Sequence, residues 1–167
     1  GISRGNVSVA SVAATLAVRT LGGDLSSKKG VILGAGKTAE AAAMQMSERG
    51  LKDLTIANRT HDRAFRVASG LGAREASLDD VGKLLQEADV LVCATSGQHF
   101  IVTVPMMNSA MGSRPGKPVI LLDLSVPRNI DPEVAEIEGV HLYSLEHLSQ
   151  VAEENRAQRE MQMRAVK

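Results

Sequence analysis

Apolar residues along the chain follow two alternating patterns. Short continuous apolar runs are typical of strands that are buried on both faces. Such runs predict six strands, over residues 29–33, 54–57, 73–76, 90–94, 119–122 and 140–143. Elsewhere apolar residues recur every three or four positions, as on the buried face of a helix. This second pattern predicts helices over residues 8–20, 37–49, 64–71, 81–88 and 104–111.

Capping residues support two of these helices. Ser77 and Asp80 form an S-x-x-D capping box, which predicts a helix that continues to Ala88. Thr103 is placed to cap the next helix, and Pro105 is tolerated in its first turn. Both helices therefore have a definite predicted start.

The alternation of strands and helices predicts an α/β fold of the Rossmann type. It is a doubly wound parallel sheet with helices on both faces and the strand order 3-2-1-4-5-6. In such a sheet, ligands bind at the carboxyl ends of strands 1 and 4. Residues 1–143 are predicted to form this domain. From Ser144 the chain becomes polar, so residues 144–167 are predicted to form an exposed helix that leaves it.

The composition fits such a sheet. Hydrophobic residues make up 44% of the 167 residues, but aromatic residues only 2%, so the core must be mainly aliphatic. Nineteen basic and nineteen acidic residues cancel, so any RNA partner is expected to be held mainly elsewhere. The single cysteine excludes an internal disulfide and a multi-thiolate metal site. We find no signal peptide or long apolar span and expect no membrane role.

A glycine-rich turn follows the first predicted strand. The segment Gly34-Ala35-Gly36-Lys37-Thr38-Ala39 has the pattern G-x-G-x-x-A and opens the next helix. In a dinucleotide site, the first glycine makes the turn and the second admits the pyrophosphate, while Ala39 lets helix pack on strand. Lys37 either adds positive charge there or is merely solvated. The alternative is a glycine turn without a ligand.

The tip of the second strand distinguishes the two nicotinamide cofactors. An Asp or Glu there accepts hydrogen bonds from the ribose of NAD, but this chain has Asn58-Arg59-Thr60. A guanidinium binds a 2′-phosphate through paired charged bonds, and Arg63 is placed to assist. We therefore predict NADPH, against the alternative that both arginines are surface charges and Thr60 only a helix cap. The nearby Asp62 is a mild objection.

Other polar residues lie near the ends of later strands. Thr95 and Ser96 follow the fourth strand and are predicted to contact the cofactor or simply to close the turn. Asp123 is predicted to be a polar group of the pocket, with capping of buried backbone as the alternative. His99 has no visible partner and is interpreted as a loop or surface residue. Cys93 lies in an apolar strand and is interpreted as a core thiol.

Several segments together resemble the middle domain of the glutamyl-tRNA reductase family. In chain order they are the glycine turn and the segments 5–11, 57–60, 122–132, 142–148 and 153–155. The run Ser-Val-Pro-Arg-Asn-Ile-Asp-Pro, at residues 125–132, is the most specific of them. Ala39 departs from the third glycine of many members, which the packing role of this position allows.

The resemblance implies an oxidoreductase that uses NADPH to reduce glutamyl-tRNA to glutamate 1-semialdehyde, at the start of tetrapyrrole (porphyrin) biosynthesis. It implies a nucleophilic cysteine in a separate amino-terminal domain, so no residue here takes a catalytic role. It also implies a homodimer through a carboxyl-terminal domain, handover to glutamate-1-semialdehyde aminomutase, and a place in the cytoplasm or plastid stroma. Alternatives are the cofactor domain of a shikimate dehydrogenase and a non-catalytic NADP-sensing module. The initial Gly1 and the polar ending predict a piece of a longer protein.

Overall fold

The computed structural model describes the backbone of residues 2–165 and the side chains of residues 8–165. Gly1, Val166 and Lys167, and the side chains of the resembling segment 5–7, lie outside the described residues. Strands and helices alternate after a first helix. The helices are α1 (Ile2–Thr20), α2 (Lys37–Glu48), α3 (His61–Leu71), α4 (Val81–Leu84), α5 (Val104–Gly112) and α6 (Leu145–Ala165). The strands are β1 (Lys29–Leu33), β2 (Asp53–Asn58), β3 (Arg74–Ser77), β4 (Val90–Cys93), β5 (Val119–Asp123) and β6 (Val140–Ser144).

The six strands form one sheet in which every pairing is parallel. Its order is β3-β2-β1-β4-β5-β6, which confirms the predicted topology. Leu33 at the end of β1 pairs with Ala57 of β2 on one side and with Cys93 of β4 on the other. Because these strands end in register, the loops that follow β1, β2 and β4 meet at one edge of the sheet.

Successive side chains of a strand point to opposite faces of the sheet. Both faces of this sheet are apolar, and helices cover both of them. Ile32 and Val92 pack on one side with α1, α2, α3 and the first turns of α6. Val31 and Leu91 pack on the other side with α4 and α5. Alanine supplies much of the helix surface in the first layer, which lets those helices lie close to the strands. The core is aliphatic, as the composition predicts.

The segment between β3 and β4 is less helical than predicted. A 3-10 turn at Leu78–Asp80 precedes α4, which ends at Leu84 rather than Ala88. The Ser77 hydroxyl accepts a hydrogen bond from the Asp79 amide at 3.1 Å, so the contact is a local turn and not the predicted capping box. Gly82 lies within this short helix and lowers its intrinsic stability.

Helix α6 does not leave the domain at its start, which corrects the sequence interpretation. Leu148 is fully buried, and Val151 and Ala152 are half-buried against the same core layer as α1. From residue 153 to residue 165 the side chains are exposed. Helix α1 also begins earlier than predicted, at Ile2 instead of residue 8.

A candidate nucleotide-binding cleft

An open cleft of about 670 Å³ lies at the carboxyl edge of β1, β4 and β5. Its floor is the glycine turn and its walls come from the loops after β2, β4 and β5, with α1 and α6 at one end. The lining residues include Val9, Gly34, Ala35, Gly36, Lys37, Thr38, Asn58, Arg63, Thr95, Ser96, Ser125, Val126, Leu145 and Ser149. Most of the predicted site residues are therefore brought together, although they lie far apart in the sequence.

The two glycines of the turn have different structural roles. Gly34 has φ +117°, and a Cβ added to it would lie 2.2 Å from the carbonyl oxygen of Ala94. Its amide donates to the Ala57 carbonyl at 2.8 Å, so this turn is locked between β2 and β4. Gly36 has φ −85° and an added Cβ would meet no atom within 4 Å. The backbone at Gly36 is thus open to the cleft.

Helix α2 points its amino terminus at the cleft. The first amides of any helix have no intrahelical acceptor. The N-cap residue of α2 is Gly36, which has no side chain to accept from these amides, so they remain available to a ligand. The positive end of the helix dipole lies at the same point. Lys37 is exposed and Thr38 half-buried at the cleft wall, whereas Ala39 is fully buried against the strands. The arrangement is suited to an anion such as a pyrophosphate.

Two arginines lie at the tip of β2 and just beyond it. Arg59 and Arg63 are exposed, and they line a second groove of about 350 Å³ that adjoins the cleft. Neither takes part in an ion pair among residues 8–165. Thr60 occupies the N-cap position of α3 but its side chain makes no capping bond. Asn58 donates to the Thr60 carbonyl at 3.3 Å, which shapes the tip.

The loop after β4 borders both grooves. We call residues 95–99 the switch loop, because it crosses the point where the strand order reverses. Thr95 and Ser96 line the cleft and the second groove, and His99 lies exposed at the far end of the second groove. The Thr95 amide donates to the Ser125 hydroxyl at 3.1 Å, which joins this loop to the one after β5.

Asp123 does not face the cleft, so the expectation of a pocket carboxylate is wrong. Its side chain is 3% exposed and accepts hydrogen bonds from the amides of Ser125 (3.1 Å), Asn129 (3.0 Å) and Ile130 (2.9 Å). Burial raises the pKa of Asp123 above its ordinary value, and the three amide hydrogen bonds partly oppose that rise. The carboxylate caps buried backbone, which was the alternative interpretation.

Cys93 is a core thiol, as interpreted from the sequence. It is fully buried, and burial together with the nearby Asp123 raises the pKa of the thiol well above its ordinary value. Such a thiol has little nucleophilic thiolate. Within the described part of the chain, no cluster of His, Cys, Asp and Glu side chains could hold a metal ion.

Sequence reasoning missed the contributions of three other elements to the cleft. Ser125 and Val126 come from the loop after β5, Val9 from α1, and Leu145 and Ser149 from α6. The loop after β5 could have been found, because it directly follows a predicted strand of a parallel sheet. The helical residues gave no local signal, since their position depends on how α1 and α6 pack.

Comparison with known proteins places this cleft in a family context. A sequence model of the family described as shikimate / quinate 5-dehydrogenase matches residues 15–151, which is most of the chain. The chain belongs to this family. None of its described helices is both long and apolar enough to cross a membrane.

The chain is also similar to glutamyl-tRNA reductases. The glutamyl-tRNA reductase of Deinococcus radiodurans is 39% identical over 155 residues, which are 93% of this chain and 44% of that protein. The chain thus spans less than half the length of this relative. The structure of glutamyl-tRNA reductase from Methanopyrus kandleri matches with a TM-score of 0.88 at 32% identity, over 96% of this chain and 40% of that one.

A third comparison concerns a single domain. The nucleotide binding domain of glutamyl-tRNA reductase from Thermoplasma volcanium matches with a TM-score of 0.67 at 26% identity, over 91% of this chain and 96% of that one. The resemblance to the middle domain of glutamyl-tRNA reductases is therefore confirmed.

Proposed function

We propose that this chain is the NADPH-binding domain of a glutamyl-tRNA reductase. In that enzyme it supplies the hydride that reduces glutamyl-tRNA to glutamate 1-semialdehyde. One observation carries the proposal. The amino terminus of α2 and the tip of β2, with Arg59, lie together at one edge of the sheet. The similarity to glutamyl-tRNA reductases, which extends over nearly the whole chain, supports it.

The glycine turn is proposed to hold the pyrophosphate. Gly36 leaves room for it, and the first amides of α2 face it from below. Lys37 lines the same cleft and adds a positive charge. The uncharged residues Gly34, Ala35 and Thr38 line the same cleft, and Ala39 packs beneath it.

The β2 tip is proposed to bind the 2′-phosphate that distinguishes NADPH from NADH. Arg59 and Arg63 carry the charge, and Asn58 and Thr60 form the adjoining backbone. A hydrogen bond to a charged group contributes about 1.5 to 3 kcal/mol, which is about ten- to a hundredfold in affinity. Asp62 lies on the first turn of α3, and it is absent from the lining of both grooves among the described residues.

The part of the cleft that lies beside the loops after β4 and β5 is proposed to receive the nicotinamide. When bound, NADPH supplies the hydride there. The cleft wall there includes the hydroxyl groups of Thr95 and Ser96. Val126, which is 75% exposed, adds an apolar surface. We place the nucleophile of the reaction outside this chain, because its one cysteine is buried.

The organisation of the whole enzyme is also part of this proposal. Residues 1–143 and the packed first turns of α6 are proposed to form the cofactor domain, and the exposed later part of residues 144–167 to begin a helix toward a dimerisation domain. We also propose glutamyl-tRNA as the substrate of that enzyme, a homodimer, and handover of the product to glutamate-1-semialdehyde aminomutase. The proposed location is the cytoplasm, or the plastid stroma if the protein comes from a plant.

Titration of the purified chain with NADPH and NADH, followed by nicotinamide fluorescence, tests the proposal. We expect NADPH to bind about ten- to a hundredfold more tightly, and Arg59→Ala to remove most of that preference. Arg74→Ala is the matched control, because Arg74 is an exposed arginine of β3 that pairs with Asp53 outside the cleft. Equal dissociation constants of the unaltered chain for the two cofactors contradict the proposal.

A further inference from the structure

Asn129 lies directly beneath the switch loop and is completely buried. It belongs to the loop after β5 and is absent from the lining of the cleft and of the second groove. The switch loop, residues 95–99, contains neither helix nor strand. Its conformation must therefore be held by contacts other than backbone ladders.

The side chain of Asn129 supplies those contacts. Its carboxamide oxygen accepts a hydrogen bond from the Thr95 hydroxyl. Its carboxamide nitrogen donates to the carbonyl oxygens of Gly97 at 3.1 Å and His99 at 3.3 Å. The Thr95 hydroxyl in turn accepts from the Gly97 amide at 3.1 Å. One buried side chain thus holds the beginning, middle and end of the loop.

Asn129 is itself fixed by the end of β5. Its amide donates to the Asp123 carboxylate at 3.0 Å, and that carboxylate also accepts from Ile130. The Asn129 carbonyl accepts from the amide of Ile101 at 2.6 Å and of Val102 at 3.1 Å. Among the described side chains, no buried polar atom lacks a partner, so this network is complete. A complete buried network specifies one conformation.

The loop that Asn129 holds faces the ligand side of the sheet. Thr95 and Ser96 line both grooves. Gly97 lies against the arginine at the β2 tip, since a Cβ added to it would be 3.5 Å from Nη2 of Arg59. A shift of the loop would therefore change both the cleft wall and the space beside the Arg59 guanidinium.

We propose that Asn129 is a positioning residue for cofactor binding. It holds the switch loop in the conformation that receives NADPH, without touching the cofactor. The proposal rests on the proposed function, because it requires that the cleft binds NADPH. Preorganised contacts raise affinity because less ordering remains to be done when the ligand binds.

Two substitutions in the 167-residue chain separate this role from simple packing. Asn129→Ala removes the contacts to the loop, and we expect about tenfold weaker NADPH binding from the loss of these hydrogen bonds. Asn129→Asp has nearly the same volume but turns a carboxylate oxygen toward the carbonyls of Gly97 and His99. We expect it to weaken binding at least as much, whereas a packing role would tolerate it.

Arg114→Lys is the matched control. Arg114 is another buried polar side chain that ties segments together, because its guanidinium donates to the carbonyls of Leu85, Ala88 and Pro118. These contacts lie before β4 and β5, at the opposite edge of the sheet from the cleft. We expect Arg114→Lys to lower the melting temperature and to leave the dissociation constant for NADPH unchanged.

Amide exchange measured by NMR adds a local readout. In Asn129→Ala the Gly97 amide should exchange faster than in the unaltered chain, and in Arg114→Lys it should not. Unchanged NADPH binding by folded Asn129→Ala and Asn129→Asp overturns the role of Asn129. Failure of the unaltered chain to bind NADPH refutes the proposed function instead, so the two failures are distinguishable.

A measurement on the unaltered chain decides the matter if both Asn129 variants fail to fold. The carboxamide protons of Asn129 should then exchange much more slowly than those of Asn155, which is exposed on α6. Equal exchange rates for the two side chains overturn the proposal, because a carboxamide that holds the loop is protected.

Discussion

At the scale of single residues, one short motif contains two glycines that are needed for different reasons. Gly34 is required by the fold, because its backbone has φ +117° and lies against the Ala94 carbonyl. Gly36 has an ordinary φ and no neighbour in the way of a side chain, so nothing in the fold itself requires a glycine there. The space above Gly36 is open, and in the proposed function it receives the pyrophosphate.

Replacing each glycine by alanine should therefore affect different properties. Gly34→Ala is expected to lower the free energy of unfolding by at least about 2 kcal/mol, through backbone strain and overpacking. Gly36→Ala is expected to change stability by less than about 1 kcal/mol and to weaken NADPH binding more than about tenfold by crowding the pyrophosphate. Urea denaturation and fluorescence titration measure the two effects. Strong NADPH binding by Gly36→Ala would argue against a pyrophosphate at the turn.

The loops after β4 and β5 show what local sequence can and cannot reveal at this scale. Thr95 and Ser96 were predicted at the cleft because they follow a buried strand in a parallel sheet. Capping of buried backbone was only the alternative interpretation of Asp123, and the role of Asn129 was not predicted, although both residues lie within the segment 122–132 that resembles a known family. A carboxylate at the end of a strand has the same local pattern whether it faces a ligand or accepts backbone amides.

At the scale of secondary-structure elements, α6 consists of two parts. Its first turns pack on the core through Leu148 and help to wall the cleft through Leu145 and Ser149. The later part is polar and exposed, and Met161 and Met163 are 68% and 75% exposed. The sequence interpretation recognised only the polar part, because one buried leucine does not produce the repeated apolar positions that mark the buried face of a helix.

Truncation of side chains along α6 should reveal the boundary between these parts. Leu148→Ala is expected to lower the free energy of unfolding by about 2 to 5 kcal/mol, since it removes a fully buried side chain. Met161→Ala is expected to change it by less than about 0.5 kcal/mol, as at other exposed positions. Urea denaturation followed by circular dichroism compares them. A similar decrease in the free energy of unfolding for both variants would mean that the later turns of α6 are also packed against the domain.

At the scale of the whole molecule, the chain combines a cofactor cleft with an absence of reactive thiolate. Its charges cancel, and its one cysteine is buried in the sheet. These properties are consistent with the proposed function, in which the nucleophile and the RNA contacts belong to other parts of the enzyme.

We therefore expect the purified 167-residue chain to bind NADPH but to form no aldehyde from glutamyl-tRNA. Cys93→Ala should bind NADPH as the unaltered chain does, because the thiol is in the core and outside the cleft. Assays of aldehyde formation and NADPH oxidation test this, with the full-length reductase of Deinococcus radiodurans as the positive control. Turnover by the chain alone would overturn the assignment of the nucleophile to another part of the enzyme.

The amino-acid sequence by itself determined the order of the strands and the edge of the sheet at which the cleft lies. Runs buried on both faces, such as residues 119–122, alternate with helical repeats, and right-handed crossovers then leave little freedom in topology. The glycine turn and the β2 tip are local patterns whose chemistry is visible in consecutive residues. They could be interpreted before any tertiary contact was known.

Only the tertiary structure decided which polar residues serve the fold and which face the cleft. Asn129 meets Thr95 across 34 positions of sequence, and α1 packs against α6 near opposite ends of the chain. Such pairings leave no period or spacing in the sequence. The Asn129 contact arises because folding brings the loops after β4 and β5 together, whereas Asp123 caps amides of its own loop.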